Sequence, residues 1–404
     1  MKILHTSDWH LGKNLDGYSR MDEQEIFLQD FVEMVNEHDV DLVIIAGDIY
    51  DTPNPPSRAE AMFYATLKQI SNNGQRLILV VAGNHDSPDR LAAAAPLAKE
   101  HGIIIVGTLR HVVDTGNYGQ HSVVASGEGF VEIAINGERA VILVVPYPSE
   151  KRLNELLYDY MQATEDQAQS YIDHIAMLFK NLEQNYRDDT INLAVSHLFA
   201  LGSEGSGSET GIQTLGGSYL IPGSYLPQRA QYIALGHVHK KQIVPDTNKR
   251  ARYSGAPLQY NKRETQTPKV CFLIEAAAGE ECVVTEIAFE VYKPIETWLC
   301  DSIDDAIEKC AANADRECWV YLEVKTEKPL LESDIKKIRA LKNDIINIFP
   351  IFSDQIEVDV AKFEDQTAEE LFEAFYFKRK NVAADPEIIN LFNSIMEEVE
   401  NEAH

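Results

Sequence analysis

Basic side chains are scarce in this chain of 404 residues: 36 lysines and arginines stand against 64 aspartates and glutamates, a formal net charge of −28. A chain of that sign has no general attraction for nucleic acid or an anionic membrane surface, so any phosphate it handles must be held at a local site. Long apolar runs are missing as well. The longest, such as Leu77 to Ala82, fall far short of the roughly 18 residues that cross a bilayer as a helix and suit buried strands instead. Met1 leads almost directly into an apolar run, without the ordered basic, apolar and small-residue regions of a secretory signal, so a cytoplasmic location is the expectation. Cysteine is sparse. Cys271, Cys282, Cys300, Cys310 and Cys318 are odd in number and contain no C-x-x-C pair, which leaves no disulfide framework or cysteine zinc site and predicts reduced, partly buried thiols.

What is present is a foldable chain, 45% apolar and 25% charged, long enough for two or three domains at about 150 residues each. Lys2 to Thr6, Leu42 to Ala46, Leu77 to Ala82 and Ile103 to Val106 are consecutive apolar stretches and predict strands buried on both faces. Between the first two, Phe27, Phe31 and Val35 recur at helical spacing. This is a β-α-β-α series with a largely parallel sheet. Further strands are expected at Ala140 to Pro146, Leu193 to Val195 and Tyr232 to Leu235, and a helix over about 164 to 186. From Tyr253 to Val291 two runs read as successive antiparallel strands closing a second sheet. The expectation is one α/β domain over 1–295, built from two packed mixed sheets flanked by helices. A small α+β domain follows over 296–362, with WVYLEV as a strand, LESDIKKIRALKNDII as a helix and QIEVDV as a second strand. The segment 363–404 should form two amphipathic helices. Thr367 and Glu370 make a capping box ahead of Leu371, Phe372, Phe375 and Tyr376; Asp385 and Pro386 open a helix striped by Ile388, Phe392, Ile395 and Val399.

Five segments place metal-ligand residue types just after strand-like runs: Asp8-Trp9-His10, Gly47-Asp48-Ile49-Tyr50-Asp51, Gly83-Asn84-His85-Asp86, Ser196-His197 and Gly236-His237-Val238-His239. Loops at the carboxyl ends of strands converge in an open α/β sheet, so five such segments describe one crevice. Two divalent ions roughly 3.5 to 4 Å apart need a bridging anion, and a carboxylate supplies one without bulk; Asp48 is the candidate. Mixed carboxylate, amide and imidazole donors suit manganese, iron or zinc better than calcium or magnesium. The glycines at 47, 83 and 236 are expected to let the backbone turn tightly. His237 and His239 lie two residues apart in extended chain, so they point to one side and each can serve a different ion.

In this order, D-x-H, G-D-x-x-D, G-N-H-D and G-H-x-H resemble the calcineurin-like metallophosphoesterase superfamily. The wider stretches ILHTSDWHLGKNLDGYSR, GDIYDTPNPPSRA, GNHDSPDRL, YIALGHVHKKQ and YSGAPLQY are similar to its branch of bacterial DNA-repair nuclease subunits. The likeness is strong over residues 1 to about 290. It implies that Asp8, His10, Asp48 and His239 hold one metal, that Asp48, Asn84, His197 and His237 hold the other, and that the metals are two Mn2+ ions. His85, left off the metals, would donate a proton to the leaving oxygen or stabilise the charged transition state, oriented by the Asp51 carboxylate, with Asp86 supporting the loop. Thr52 follows G-D-x-x-D where phosphoprotein phosphatases of the superfamily carry an arginine, which argues against phosphomonoesters.

The implied activity is Mn-dependent exonucleolytic cleavage of double-stranded DNA and endonucleolytic cleavage of single strands and hairpins. It would serve DNA repair, recombination and replication. The implied partners are DNA, a coiled-coil ATPase gripped by the C-terminal helices, and a second copy of the chain. The domain over 1–295 would be the nuclease itself, and the small domain a capping domain that presents DNA. A small-nucleotide phosphodiesterase and a metal-free scaffold are the alternatives. The clusters Lys240-Lys241, Lys249-Arg250 with Arg252, and Lys262-Arg263 are either DNA contacts or solvated surface, and no single DNA-binding residue is selected. The Gly-Ser-Glu-rich loop 202–217 lacks the G-K-[ST] ending of a phosphate-binding loop, so it predicts no ATP site.

Overall fold

The computed structural model describes residues 1–148, 167–205, 220–327 and 329–352, together with 371–373, 375–376, 385 and 388–395 of the C-terminal segment. They form two compact units, Met1–Val291 and Tyr292–His404.

In the first unit, Lys2–Thr6 (β1), Leu42–Ala46 (β2), Leu77–Val81 (β3) and Ile103–Val106 (β4) are all parallel. Helices Met21–Glu37 (α1) and Ser57–Ser71 (α2) make the crossovers between the first three. Then come Gly116–Tyr118 (β5), His121–Gly127 (β6), Phe130–Ile135 (β7) and Glu138–Val145 (β8), an antiparallel meander. After helix Gln167–Leu182 (α3) follow Ile191–His197 (β9), Tyr232–Gly236 (β10), Gln242–Ile243 (β11), Ala251–Tyr253 (β12), Val270–Glu275 (β13) and Val283–Ala288 (β14). The first sheet runs β14-β13-β1-β2-β3-β4 and the second β11-β12-β10-β9-β8-β7-β6-β5. β13 and β14 are antiparallel, as expected, but they extend the first sheet beside β1 rather than closing the second. Antiparallel pairing specifies a neighbour, not which sheet edge receives the hairpin.

Side chains alternate along a strand, so Leu42, Ile44 and Ala46 of β2 enter the layer between the sheets, where they meet Leu193, Val195 and Ala234 of the second sheet. The second sheet's outer face, with Val141, Leu143, Ile233 and Leu235, is covered by Tyr171, Ile175 and Phe179 of α3. Double coverage explains why these strands are continuously apolar. The five cysteines are unpaired, four of them buried and Cys282 half-buried.

In the second unit, Ile295–Cys300 (β15), Trp319–Thr326 (β16) and Ile345–Phe352 (β17) make a parallel sheet. Ile303–Ala312 (α4) and Glu332–Leu341 (α5) cover it. The expected helix over LESDIKKIRALKNDII is therefore too long. Ile335, Ile338, Leu341 and Ile345 continue a helical spacing, but the β-branched Ile345 and Ile346 belong to the strand that pairs with β16 instead. The expected strand QIEVDV, the Thr367–Glu370 capping box, Pro386, Val399 and most of the 202–217 loop lie outside the described residues. Residues 388–395 are helical, and Phe392 stacks on Phe372 at 4.1 Å between ring centroids.

The two sheets of the first unit approach closely where β2 and β10 end. Only Gly47 of the three motif glycines uses left-handed backbone, with φ +93°. Gly83 and Gly236 are required by close approach instead: a Cβ at Gly236 would lie 1.9 Å from the Ala46 carbonyl oxygen. Gly236→Ala should therefore push the sheets apart and lower unfolding free energy by about 3 kcal/mol, the upper range for overpacking. Urea denaturation reads this; an unchanged midpoint would contradict the close approach.

Candidate metal centre

Parallel register brings the motif residues to one edge. Thr6 pairs with Ile45, and Ala46 with Val81, so Asp8, Asp48 and Asn84 leave neighbouring strand ends. His197 pairs with Gly236 in the facing sheet, which sets His197 and His237 opposite them. The loops after β1 and β2 stay zipped together by Asp8 N–H to Gly47 O (3.0 Å) and His10 N–H to Asp48 O (3.0 Å). Asp8, His10, Asp48 and His237 all adopt positive φ, at 55°, 46°, 51° and 99°. Such conformations cost non-glycine residues of order 1–3 kcal/mol each and persist where the surroundings over-determine them. Trp9 supplies part of that anchoring: its ring packs edge-on against Phe27, Phe31 and Phe63, and its Nε1–H donates to Thr6 Oγ1 at 3.0 Å.

The donors gather in groups whose ligating atoms lie within 4.8 Å of one another: Asp8, His10 and His239; Asp48, His197 and His237; and His10, Asp51 and His85. Asp48 is central. Its Oδ2 lies 3.6 Å from His10 Nε2 and 3.3 Å from His197 Nε2, while Oδ1 accepts the His85 N–H at 2.9 Å. Asn84 Oδ1 sits 3.0 Å from His197 Nε2 and 2.9 Å from His237 Nδ1. Asp8 accepts from the His237 N–H (2.9 Å) and the Ser7 hydroxyl (2.5 Å).

The donor set fits divalent cations. His197 Nδ1 faces the Ala46 carbonyl at 2.8 Å, and a carbonyl only accepts, so Nδ1 carries the proton. The remaining lone pair on Nε2 then points at two oxygens, from Asn84 and Asp48. That clash is relieved by a second proton on the ring or by a cation among the three atoms. Without a cation, burial pulls the His197 pKa down, but the Asp48 carboxylate more than compensates and lifts it to about 9. Burial pushes Asp48 up, yet the His197 charge and hydrogen bond leave it well below the usual range. His10 and His239 likewise face each other Nε2 to Nε2 at 3.0 Å, where at most one proton fits, and burial pushes His10 down to about 4. Buried lone pairs converging on common points are the signature of a metal site.

Asp51 acts on His85 differently from the expectation. The ring Nδ1 lies 2.7 Å from the Asp51 main-chain carbonyl, not its carboxylate. That carboxylate is occupied by Lys13 Nζ at 2.6 Å and faces His10 Nδ1 at 3.3 Å. Asp86 supports the loop: its carboxylate accepts the N–H groups of Gly83 (2.9 Å), Tyr50 (3.0 Å) and Ile49 (3.1 Å). Burial and the Asp48 charge raise its pKa to about 6 against those three bonds.

Several contributors escaped the sequence reading. Glu264 is buried beside His239 and Lys269. Gln24 donates to the His10 carbonyl at 2.8 Å, and the Tyr260 hydroxyl donates to the Trp9 carbonyl. Tyr260 ends the quoted YSGAPLQY run, whose proximity to the centre was the available signal. Within the basic clusters, Lys240 pairs with Glu204, Lys241 with Glu286, and Arg250 donates to the carbonyls of Gln228, Ala230 and Thr247.

A two-sheet sandwich with this edge defines a phosphoesterase, and residues 1–241 match the calcineurin-like phosphoesterase family. The D subunit of the SbcCD nuclease from Bacillus subtilis is 34% identical over 413 residues, spanning 100% of this chain and 99% of that protein. Its counterpart in Rhodobacter capsulatus is 31% identical, covering 69% of this chain and 67% of that one; that of Escherichia coli K12 is 28% identical over 85% and 83%. The chain belongs to the calcineurin-like phosphoesterases and, within them, to the family of SbcCD nuclease D subunits. It is a metal-dependent phosphodiesterase, and divalent ions are its cofactors. Among the described residues no helix is long and apolar enough to cross a membrane.

Asp86→Asn keeps the shape but turns one acceptor into a donor facing backbone N–H groups. It should cost about 1–3 kcal/mol of unfolding free energy, the usual penalty for a buried unsatisfied group. Denaturant unfolding at neutral pH measures it, and a neutral substitution would remove Asp86 from the loop's support.

Proposed function

We propose that this chain is the Mn2+-dependent nuclease subunit of an SbcCD-type complex. It cleaves double-stranded DNA exonucleolytically and single strands and hairpins endonucleolytically, in break processing, recombination and replication. The observation that carries the reading is Asp48 Oδ2 lying between the His10 and His197 imidazoles, 3.6 and 3.3 Å away. One carboxylate thereby serves both donor groups, as a two-metal centre requires. In this reading Asp8, His10, Asp48 and His239 hold one ion, and Asp48, Asn84, His197 and His237 the other. When bound, the ions neutralise phosphate charge and activate the attacking water.

The remaining steps belong to the chain's own side chains. His85 donates its Nδ1–H to the Asp51 carbonyl at 2.7 Å. That bond keeps one proton on Nδ1, so the proton given to the leaving oxygen is the second one, carried on Nε2 by the imidazolium form. Half-buried, it borders the solvent from which DNA enters. Lys13 pairs with the Asp51 carboxylate at 2.6 Å beside it.

A net charge of −28 predicts weak affinity of the isolated chain for DNA, with the rest supplied by an SbcC-type coiled-coil ATPase. The C-terminal helices are our assignment for its docking site. Phe375, Leu391 and Ile395 there are 61%, 60% and 49% exposed, a wasteful arrangement unless a partner covers them. The domain over 296–362 is our assignment for a capping domain that presents DNA. A homodimer through the nuclease domain and a cytoplasmic location complete the proposal.

Purified chain with end-labelled linear and hairpin DNA should cleave with Mn2+, stop with chelator, and lose roughly 10²- to 10⁴-fold in rate in His85→Ala, the span of general acid–base catalysis. Turnover of cyclic nucleotides but not DNA would redirect the reading to a small-molecule phosphodiesterase. Truncation after residue 365 should abolish ATPase binding and spare Mn2+-dependent hydrolysis; retained binding would contradict the docking assignment.

A further inference from the structure

The two donor groups differ in what stands behind their histidines. In the group of Asp48, His197 and His237, the His197 Nδ1–H donates to a neutral main-chain carbonyl, that of Ala46. Behind the group of Asp8, His10 and His239 stands a carboxylate instead. Glu264 Oε1 lies 3.3 Å from His239 Nδ1, and both side chains are almost wholly buried, 1% and 2% exposed.

Glu264 is itself held on every side by donors. Lys269 Nζ reaches Oε2 at 2.5 Å, the Tyr260 N–H reaches Oε2 at 3.3 Å, and the Asn261 amide donates to Oε1 at 2.9 Å. Asn261 also caps the short turn Lys262–Glu264 by accepting the Arg263 N–H, which sets the direction of the Glu264 side chain. Lys269 is buried too and donates a second, longer bond to the His239 carbonyl at 3.4 Å. A carboxylate surrounded by an ammonium and amide N–H groups is an acceptor only. The proton of neutral His239 must therefore sit on Nδ1, which leaves the Nε2 lone pair facing His10 Nε2 at 3.0 Å.

We infer that Glu264 is a positioning residue that fixes the His239 tautomer and makes the Asp8–His10–His239 position the tighter of the two divalent-cation positions. This rests on the two-metal reading above. A carboxylate behind a ligating imidazole makes the ring more basic than a carbonyl does, and outer partners of this kind are worth about 10- to 100-fold in metal affinity. Lys269 offsets the long-range charge of Glu264, so the effect passes through the hydrogen bond and stays local to one position.

The test is calorimetric titration of the metal-free full chain with Mn2+, comparing wild type with Glu264→Gln, and each chain's thermal midpoint in chelator. Two affinity classes are expected in the wild type, with the tighter weakened about 10- to 100-fold in the variant and the weaker class unchanged. Equal weakening of both classes, or no change, overturns the inference while leaving the two-metal reading intact. A wild-type chain that binds fewer than two Mn2+ ions overturns the two-metal reading itself. If the variant does not fold, ring 15N shifts of His239 in the metal-free wild type decide: a protonated Nδ1 supports the inference, and an unprotonated Nδ1 contradicts it.

Discussion

The hydrogen bond from His197 to the Ala46 carbonyl, 2.8 Å across the gap between two sheets, ties the centre together. It settles the proton on Nδ1, turns the other ring nitrogen toward Asp48 and Asn84, and joins strand ends that belong to different sheets. Around it the chain accepts unfavourable features: four non-glycine residues at positive φ, the buried carboxylates of Asp8, Asp48, Asp86 and Glu264, and glycines where any Cβ would collide. None of these is stable alone. They persist because the interlocked sheets and the Trp9 cluster leave the loops nowhere else to go.

Much of this was legible in the sequence, for a specific reason. The strands that carry the site are covered on both faces, so Leu42 to Ala46 or Leu77 to Val81 read as unbroken apolar runs, and the polar residue that ends each run is conspicuous. Where elements are covered on one side only, the pattern is ambiguous. Ile345 and Ile346 fit the preceding helical spacing as well as the strand they form, and only pairing with β16 decides. The hairpin of β13 and β14 was visible as a hairpin, but its attachment beside β1 depends on long-range packing that no local pattern encodes.

The same distinction separates the ligand types from their supports. Motif residues announce themselves by type and spacing. Supporting contacts often use the main chain, as when Asp51 holds His85 through its carbonyl while its carboxylate turns to Lys13. They also use residues far along the chain, as Glu264 does toward His239. Neither kind leaves a spacing rule. The acidic composition fits the same logic: with 36 basic side chains against 64 acidic ones, the proposal has phosphate met by ions held in a buried cluster rather than by a basic surface.

The proposed chemistry turns on Asp48 being shared by two metal ions. Electron paramagnetic resonance of the chain loaded with two equivalents of Mn2+ tests this most directly, with Asp48→Asn as comparison. A spectrum of an exchange-coupled Mn2+ pair in the wild type, lost in the variant, is the predicted result. Isolated, uncoupled Mn2+ signals in the wild type at full loading would contradict it.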